Sequence, residues 1–204
     1  MHQSIIIIDD FLNDPGYFRS MAKQMTFPKL KKMSNFPGRN SLQRLNAPDI
    51  DETISGIVGE PLSPLTQLSH AKFRLTLRKD LGKAKVHLDN SKWSGILYLS
   101  DELHPESGTD FYKHKATGLD TALLSQADIS RLGWKDKETA NKRINEIIKE
   151  ETNDDSKWEH IMRVPMKYNR LLLMRPWLWH TAGPGFGNDF DDGRLVYLLF
   201  YGNK

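Results

Sequence analysis

Short strand patterns follow one another from residue 73 onward in this 204-residue sequence. Half-buried strands alternate apolar and polar residues, whereas strands at the centre of a sheet are apolar throughout. One or other pattern occurs at residues 73–77, 84–88, 95–99, 108–112, 161–166, 171–174 and 194–201. Turn-forming residues separate most of these segments, which predicts a mainly β sandwich or barrel with helices packed outside it.

Residues 115–157 differ from their surroundings because their apolar residues have helical spacing. Ala140, Ile144, Ile147 and Ile148 fall on one side of a helix, and lysine, glutamate and asparagine occupy the other side. The segment interrupts two strands, so we predict a helical insertion into the β core. Two interpretations are open. The insertion forms part of a substrate-facing wall, because long excursions are usually functional, or it packs its apolar stripe against the outside of the sheet.

The first 64 residues have the pattern of a flank of this core. Residues 5–8 are a β-branched run typical of a buried strand, and residues 17–25 and 51–58 have helical patterns. Proline, glycine, asparagine and serine dominate the remainder, which predicts loops. A chain of this length is expected to form one domain. We therefore predict a single domain over residues 1–204, with the flank at 1–64, the core at 70–201 and the insertion at 115–157.

Composition and charge exclude several classes of protein. The 29 basic and 26 acidic residues leave a net charge of +3, and neither sign forms a long run, so nucleic acid and anionic membranes are not expected partners. The absence of cysteine excludes disulfides, thiolate metal sites and cysteine nucleophiles. The only early apolar run, residues 5–8, is too short for a signal peptide or a membrane span, which predicts a cytoplasmic protein.

Three residues have the types and positions of a metal site. His87 and Asp89 stand two apart at the end of a predicted strand, so their side chains project from the same face. His180 follows an apolar Trp-Leu-Trp segment and precedes a glycine-rich turn. Two imidazoles and one carboxylate, with the other metal positions open, are typical of non-haem iron(II) oxygenases. The alternative is a chance His-x-Asp triplet and an ordinary core histidine.

Arg194 opens the last apolar strand, fourteen residues after His180. A guanidinium buried there is costly unless it meets an anion, and its planar fork suits a carboxylate. The alternatives are a salt bridge to Asp191 or Asp192 and a solvated strand end. Tyr98 lies on the strand that leaves the His-Asp pair, where its hydroxyl could donate to the same carboxylate. Otherwise Tyr98 is an ordinary core tyrosine.

Several motifs occur in the order typical of a known superfamily. They are His87-Leu88-Asp89, residues 95–100, Gly108-Thr109-Asp110-Phe111, His180 and Gly193-Arg194-Leu195. Over about residues 70 to 201 the chain resembles iron(II)/2-oxoglutarate-dependent dioxygenases of the prolyl hydroxylase group. Residues 7–12, 111–118 and 168–171 further resemble uncharacterised bacterial proteins associated with tryptophan halogenase genes. The interval between His180 and Arg194 is longer than the family usually has, by a loop-like stretch at residues 187–192.

The resemblance implies a double-stranded β-helix, or jelly roll, with iron(II) held at one mouth by His87, Asp89 and His180. It implies 2-oxoglutarate as a co-substrate whose distal carboxylate is bound by Arg194, assisted by Tyr98. The implied enzyme is a dioxygenase that uses dioxygen to hydroxylate a peptide side chain, amino acid or small metabolite, with release of succinate and CO2. Beyond the metal ligands it requires no acid–base residue. Two other classes stay open: a zinc-dependent hydrolase and a catalytically silent β-helix binding module.

Overall fold

A computed structural model describes residues 3–29, 33–100 and 103–204. The strands in these ranges are β1 (Ile5–Ile8), β2 (Arg39–Asn40), β3 (Leu62–Pro64), β4 (Lys72–Thr76), β5 (Trp93–Tyr98), β6 (Thr109–His114), β7 (Trp158–Val164), β8 (Leu171–Met174), β9 (His180–Ala182) and β10 (Arg194–Asn203). The α-helices are α1 (Pro15–Lys23), α2 (Pro48–Val58), α3 (Gln126–Arg131) and α4 (Lys137–Glu151).

The strands form two antiparallel sheets. The larger sheet has the order β1-β8-β5-β10-β4-β2, with β3 paired to the far end of β10, and the smaller sheet has the order β7-β6-β9. β10 is central because it pairs with β5, β4 and β3. Its apolar residues are buried on both faces, as the continuous apolar run predicts. The prediction of a mainly β protein with a few helices is confirmed.

Apolar clusters cover both faces of the larger sheet. On one face, Phe18 of α1 and Ile54 of α2 pack against sheet residues that include Phe73 and Tyr197. The other face carries a cluster that joins residues of both sheets, namely Tyr98, Phe111, Val164, Leu172, Met174, Val196 and Leu198. The two sheets therefore face each other, and α1 and α2 lie on the outer side of the larger one.

The predicted strand at residues 84–88 is wrong. In the structure only His87 forms a bridge there, to His180. The backbone N–H groups of Lys85 and Val86 instead donate to the side chain and carbonyl of Thr152, directly after α4. The backbone of this segment thus bonds to the end of the helical insertion and not to a neighbouring strand. The local sequence could not reveal that partner.

The flank and the insertion contain more structure than was predicted. The flank includes the short strands β2 and β3, which exist because they pair with β4 and β10. The insertion contains two α-helices and a short 3-10 helix, and Ser125 caps α3 through a reciprocal capping box with Asp128. Within the described ranges, no helix combines the length and apolar character needed to cross a membrane.

The apolar stripe of α4 packs behind the smaller sheet. Ile144 and Ile147 join Val86, Trp158 and Trp179 in a third apolar cluster. Helix burial of this kind is what the packing interpretation of the insertion requires.

Candidate functional site

His87 and His180 stand opposite each other in an antiparallel bridge. The N–H of His87 donates to the carbonyl of His180 at 2.9 Å, and the N–H of His180 donates back at 3.1 Å. Directly opposed residues project their side chains to the same face, and the two ring centroids are 4.4 Å apart. Asp89 reaches the same point, with Oδ1 3.7 Å from His87 Nε2 and Oδ2 3.4 Å from His180 Nε2. The structure therefore brings the three predicted metal ligands together.

Backbone carbonyls orient both imidazoles. Nδ1 of His87 lies 2.8 Å from the carbonyl of Lys85, and Nδ1 of His180 lies 2.8 Å from the carbonyl of Leu178. A carbonyl can only accept, so each Nδ1 carries the proton and each Nε2 keeps a free lone pair. This arrangement is typical of metal-ligating histidines. One ligand atom from each of the three residues lies within 4.8 Å of the others, so the donor set fits a metal ion.

Burial and mutual charge set the protonation of this cluster. Burial lowers the pKa of His87 to about 4, the charge of His180 acts in the same direction, and Asp89 opposes both. Burial alone would raise the pKa of Asp89, but the nearby imidazoles of His180 and His87 and a hydrogen bond from Ser94 hold it well below its usual range. At neutral pH this leaves a neutral His87 and an ionised Asp89, the forms that bind metals.

Arg194 is buried close to this cluster, with 2% of its surface exposed. Its Nε donates to the carbonyl of Ser107 at 2.7 Å and its Nη2 to the carbonyl of Gly108 at 3.3 Å. Burial lowers the pKa of Arg194 from its usual value. The guanidinium also lines the cavity into which the histidines project, so it is placed to meet an anion.

The alternative of a salt bridge from Arg194 to a nearby aspartate is not found. Asp191 pairs with Lys23 at 2.7 Å, and Asp192 Oδ1 accepts the backbone N–H groups of Asn188 and Asp189. Across the described ranges, no carboxylate forms an ion pair with Arg194. A buried cation without a protein counter-ion is stabilised when the carboxylate of a ligand binds to it.

Tyr98 is beside Arg194, with its ring centroid 5.8 Å from the guanidinium carbon. The tyrosine is fully buried, and its hydroxyl shares a 2.7 Å hydrogen bond with the hydroxyl of Thr109. Thr109 lines the cavity, whereas Tyr98 stands behind it. Any contribution of Tyr98 to a ligand at Arg194 is therefore made through Thr109, a residue to which the sequence had assigned no separate role.

A cavity of about 510 Å³ surrounds these residues. Residues of β4, β5, β8 and β10 line it, together with Phe36, Pro37 and Arg44 of the flank. The Phe36 ring packs on His87, with the centroids 4.1 Å apart. The sequence pattern had predicted only a flank of the core here. Its place beside the metal ligands was missed, because it depends on the pairing of β2 with β4.

The insertion does not have the position that the wall interpretation predicts. Of the described residues that line the cavity, none belongs to residues 115–157. Its helices pack on Val86, Trp158 and Trp179, on the side of the histidine segments away from the cavity. The structure therefore favours packing as the role of the insertion.

Solved structures of several enzymes share this fold. HygX from Streptomyces hygroscopicus, crystallised with nickel, 2-oxoglutarate and hygromycin B, is 12% identical with a TM-score of 0.54, and the match covers 98% of this chain and 83% of HygX. SnoK, a non-heme alpha ketoglutarate dependent carbocyclase from nogalamycin biosynthesis, is 13% identical with a TM-score of 0.55, covering 99% of this chain and 80% of SnoK. The epimerase SnoN from the same biosynthesis is also 13% identical, with a TM-score of 0.53, covering 99% of this chain and 77% of SnoN.

These similarities establish the fold of the chain as that of non-haem, 2-oxoglutarate-dependent enzymes. No curated protein sequence matches it. The chain belongs to the family described as "Family of unknown function (DUF6445)", whose model matches residues 1–201.

Proposed function

We propose that this chain is an iron(II)- and 2-oxoglutarate-dependent dioxygenase with a jelly-roll fold, in which His87, Asp89 and His180 bind the metal. The observation that carries the proposal is the convergence of two free Nε2 atoms on an ionised carboxylate, in a cavity also lined by Arg194, which has no carboxylate partner among the described residues. Two histidines and one carboxylate are the ligand set of such enzymes. The iron or nickel and 2-oxoglutarate bound in HygX support the same class.

The co-substrate site follows from the groups around Arg194. Its guanidinium would bind the distal carboxylate of 2-oxoglutarate, and the Thr109 hydroxyl, positioned by Tyr98, would add a hydrogen bond. Iron and 2-oxoglutarate, when bound, supply the oxidative chemistry that consumes dioxygen and releases succinate and CO2. The residues of this chain hold both groups, orient them and shield them from bulk water.

The proposed reaction is hydroxylation of a peptide side chain, an amino acid or another small metabolite. The described cavity residues fit a reaction without protein acid–base catalysis, because Asp89 is the only carboxylate among them. SnoK is a carbocyclase and SnoN is an epimerase, so enzymes with this fold catalyse different reactions. Identification of the product would test whether the substrate is hydroxylated. A single domain and the association with tryptophan halogenase genes stay predictions.

The zinc hydrolase alternative fits these contacts less well. A hydrolytic zinc site needs a general base beside its bound water. Among the described residues that line the cavity, the carboxylate and the imidazoles all belong to the metal cluster itself. Such an enzyme would also have no use for the buried cation at Arg194.

Anaerobic titration of the iron(II)-loaded protein with 2-oxoglutarate tests the proposal. We expect about one iron(II) per chain and a visible charge-transfer band that saturates with 2-oxoglutarate. His87→Ala or Asp89→Ala should remove both, whereas His160→Ala, which changes a half-exposed histidine paired with Asp110, should remove neither. A wild-type protein that binds iron without forming the band would support the hydrolase or the silent binding module instead.

A further inference from the structure

The cavity contains more positive charge than a metal site and one co-substrate arginine account for. The basic residues that line it are Arg44, Lys72, Arg74 and Arg194, and Asp89 is the only carboxylate among its described lining residues. A divalent metal bound at Asp89 would make the interior still more positive. Buried or partly buried charges of one sign are costly unless anions bind among them.

Arg44 and Arg74 differ in how their guanidinium groups are used. Arg44 donates to the backbone carbonyls of Thr66, Leu68 and His70, so its role is to hold that loop. Arg74 has no such carbonyl set. The hydrogen bond found for it runs from Nε to Asn40 Oδ1 at 2.7 Å.

Asn40 holds Arg74 in a defined orientation. The amide of Asn40 also donates to Ser69 Oγ at 2.7 Å, and Ser69 lines the cavity. The Phe36 ring lies 5.8 Å from the guanidinium carbon. In the part of the chain that the structure describes, no carboxylate forms an ion pair with Arg74. Its two Nη groups are therefore available for a bidentate contact with an oxyanion.

Arg74 and Arg194 are diagonal neighbours on one face of the larger sheet. Arg194 is opposite Thr76, and Arg74 is opposite Val196. Diagonal neighbours of this kind are about 7–8 Å apart, and their Cβ atoms are somewhat closer. Burial lowers the pKa of Arg74 to about 10, the charge of Arg194 acts in the same direction, and the charge of Asp89 opposes both. Arginine side chains keep their proton at neutral pH, so the two guanidinium groups can bind two anionic groups side by side.

We propose that Arg74 forms a second anion site, which binds a carboxylate or phosphate group of the substrate. The inference rests on the proposed function, because that function assigns Arg194 to 2-oxoglutarate and so leaves Arg74 for the substrate. The substrate is accordingly a small molecule or chain end that carries an oxyanion. The oriented guanidinium sets the position of that group, and with it the part of the substrate that reaches the metal.

Three small aromatic probes of similar shape test this site: benzoate, phenyl phosphate and neutral benzamide. Each is titrated by calorimetry, without oxygen, into protein loaded with iron(II) and saturating 2-oxoglutarate. At least one anion should bind the wild-type protein about tenfold or more tightly than benzamide. The anion that binds more tightly distinguishes a carboxylate from a phosphate substrate. Arg74→Gln should abolish the preference and leave the 2-oxoglutarate affinity unchanged.

The matched control is Arg78→Gln, which removes an exposed arginine just beyond β4 and outside the cavity. Equal anion binding by the two variants would overturn the proposal, as would a wild-type protein that prefers neither anion to benzamide. Loss of 2-oxoglutarate binding in Arg74→Gln would overturn it as well, because Arg74 would then serve the co-substrate. If Arg74→Gln does not fold, Arg74→Lys is the variant to test. Lysine keeps the positive charge but lacks the planar guanidinium, so this variant should bind the anions several-fold more weakly than the wild-type protein.

Failure of the proposed function gives a different result. A wild-type protein that forms no charge-transfer band with iron(II) and 2-oxoglutarate would contradict the dioxygenase. Phenyl phosphate titration of the metal-free protein would still compare Arg74→Gln with Arg78→Gln. Weaker phenyl phosphate binding by Arg74→Gln than by Arg78→Gln would support the anion site even though the protein is not a dioxygenase. Equal binding would contradict both the anion site and the proposed function.

Discussion

Ser94 donates a hydrogen bond of 2.6 Å to Asp89 Oδ2, the carboxylate oxygen that lies nearer to His180. Ser94 is buried on β5, whereas Asp89 lies in the irregular segment before that strand. The sheet thus orients a carboxylate that comes from the segment before it. Partners of metal ligands commonly contribute to metal affinity in this way.

Replacement of Ser94 by alanine should therefore weaken iron(II) binding by about 10- to 100-fold, the usual effect of losing such a partner. Competition with a coloured chelator measures this affinity. Ser91→Ala is the control, because Ser91 Oγ contacts Ser94 Oγ at 2.9 Å and has no contact of its own with Asp89 in the described structure. Equal effects of the two substitutions would show that Ser94 does not orient the carboxylate.

Arg194→Lys should lower the affinity for 2-oxoglutarate by about tenfold or more, because an ammonium cannot reproduce the planar fork. The carbonyls of Ser107 and Gly108 would hold the shorter cation away from the ligand. Titration of the charge-transfer band gives the affinity, with Arg78→Lys as the control. An unchanged affinity would assign the co-substrate to another basic residue of the cavity, Arg74 first among them.

Truncation of the α4 stripe distinguishes packing from a substrate-facing role for the insertion. Ile144→Ala should lower the free energy of unfolding by about 2–5 kcal/mol, because it leaves a cavity in the cluster around Trp158 and Trp179. Affinities for iron and 2-oxoglutarate in the folded protein should not change. Denaturant unfolding and ligand titration measure the two quantities.

Replacement of residues 115–157 by a Gly/Ser linker extends this test. Loss of folding is expected, because Trp158 and Trp179 would lose their cover. A linker variant that folds and binds iron and 2-oxoglutarate but loses coupled turnover of a true substrate would restore the wall interpretation.

Asn169 joins two distant segments, both of which carried the resemblance to a bacterial subgroup. Its side chain accepts from the N–H of Leu12 at 2.9 Å and donates to the carbonyl of Leu12 at 2.8 Å. The residue has a φ of +60°, which asparagine tolerates better than most residues. Asn169→Ala should lower the free energy of unfolding by about 1–3 kcal/mol. Asn169→Asp, which would set a buried carboxylate oxygen against the Leu12 carbonyl, should lower it at least as much in the same denaturation experiment.

Asp9 should make stability depend on acid pH. Hydrogen bonds from Arg170 and, less strongly, Lys167 lower the pKa of Asp9 from 3.8 to about 2. Because the folded-state pKa is depressed, the stabilisation is complete above the unfolded value and is lost as pH falls from about 4 to about 2. The carboxylate is 37% exposed, so solvent screening limits the effect to about 1 kcal/mol. Asp9→Asn should differ from wild type near neutral pH and match it near pH 2. A constant difference would contradict this ion pair as the cause.

Local patterns in the sequence determined much of the fold and the metal cluster. The residue types of the His-x-Asp pair were predictable, but the strand from which their common face was inferred is absent, and the two side chains meet because His87 bridges to His180 and Ser94 holds Asp89. Continuous apolar runs identified β8 and β10, and helical spacing identified α4, because both periodicities arise from the geometry of a single element. The place of His180 was inferred from its short apolar neighbourhood and from the resemblance.

Tertiary structure decided everything that depends on which elements are neighbours. Arg74 was visible as a polar residue between Phe73 and Leu75, but only the pairing of β4 with β10 places it diagonal to Arg194. The flank reaches the cavity because β2 pairs with β4, and the insertion is kept from the cavity by its packing on Trp179. These contacts join residues far apart in the chain, and their free energy depends on complementary surfaces that no local pattern records.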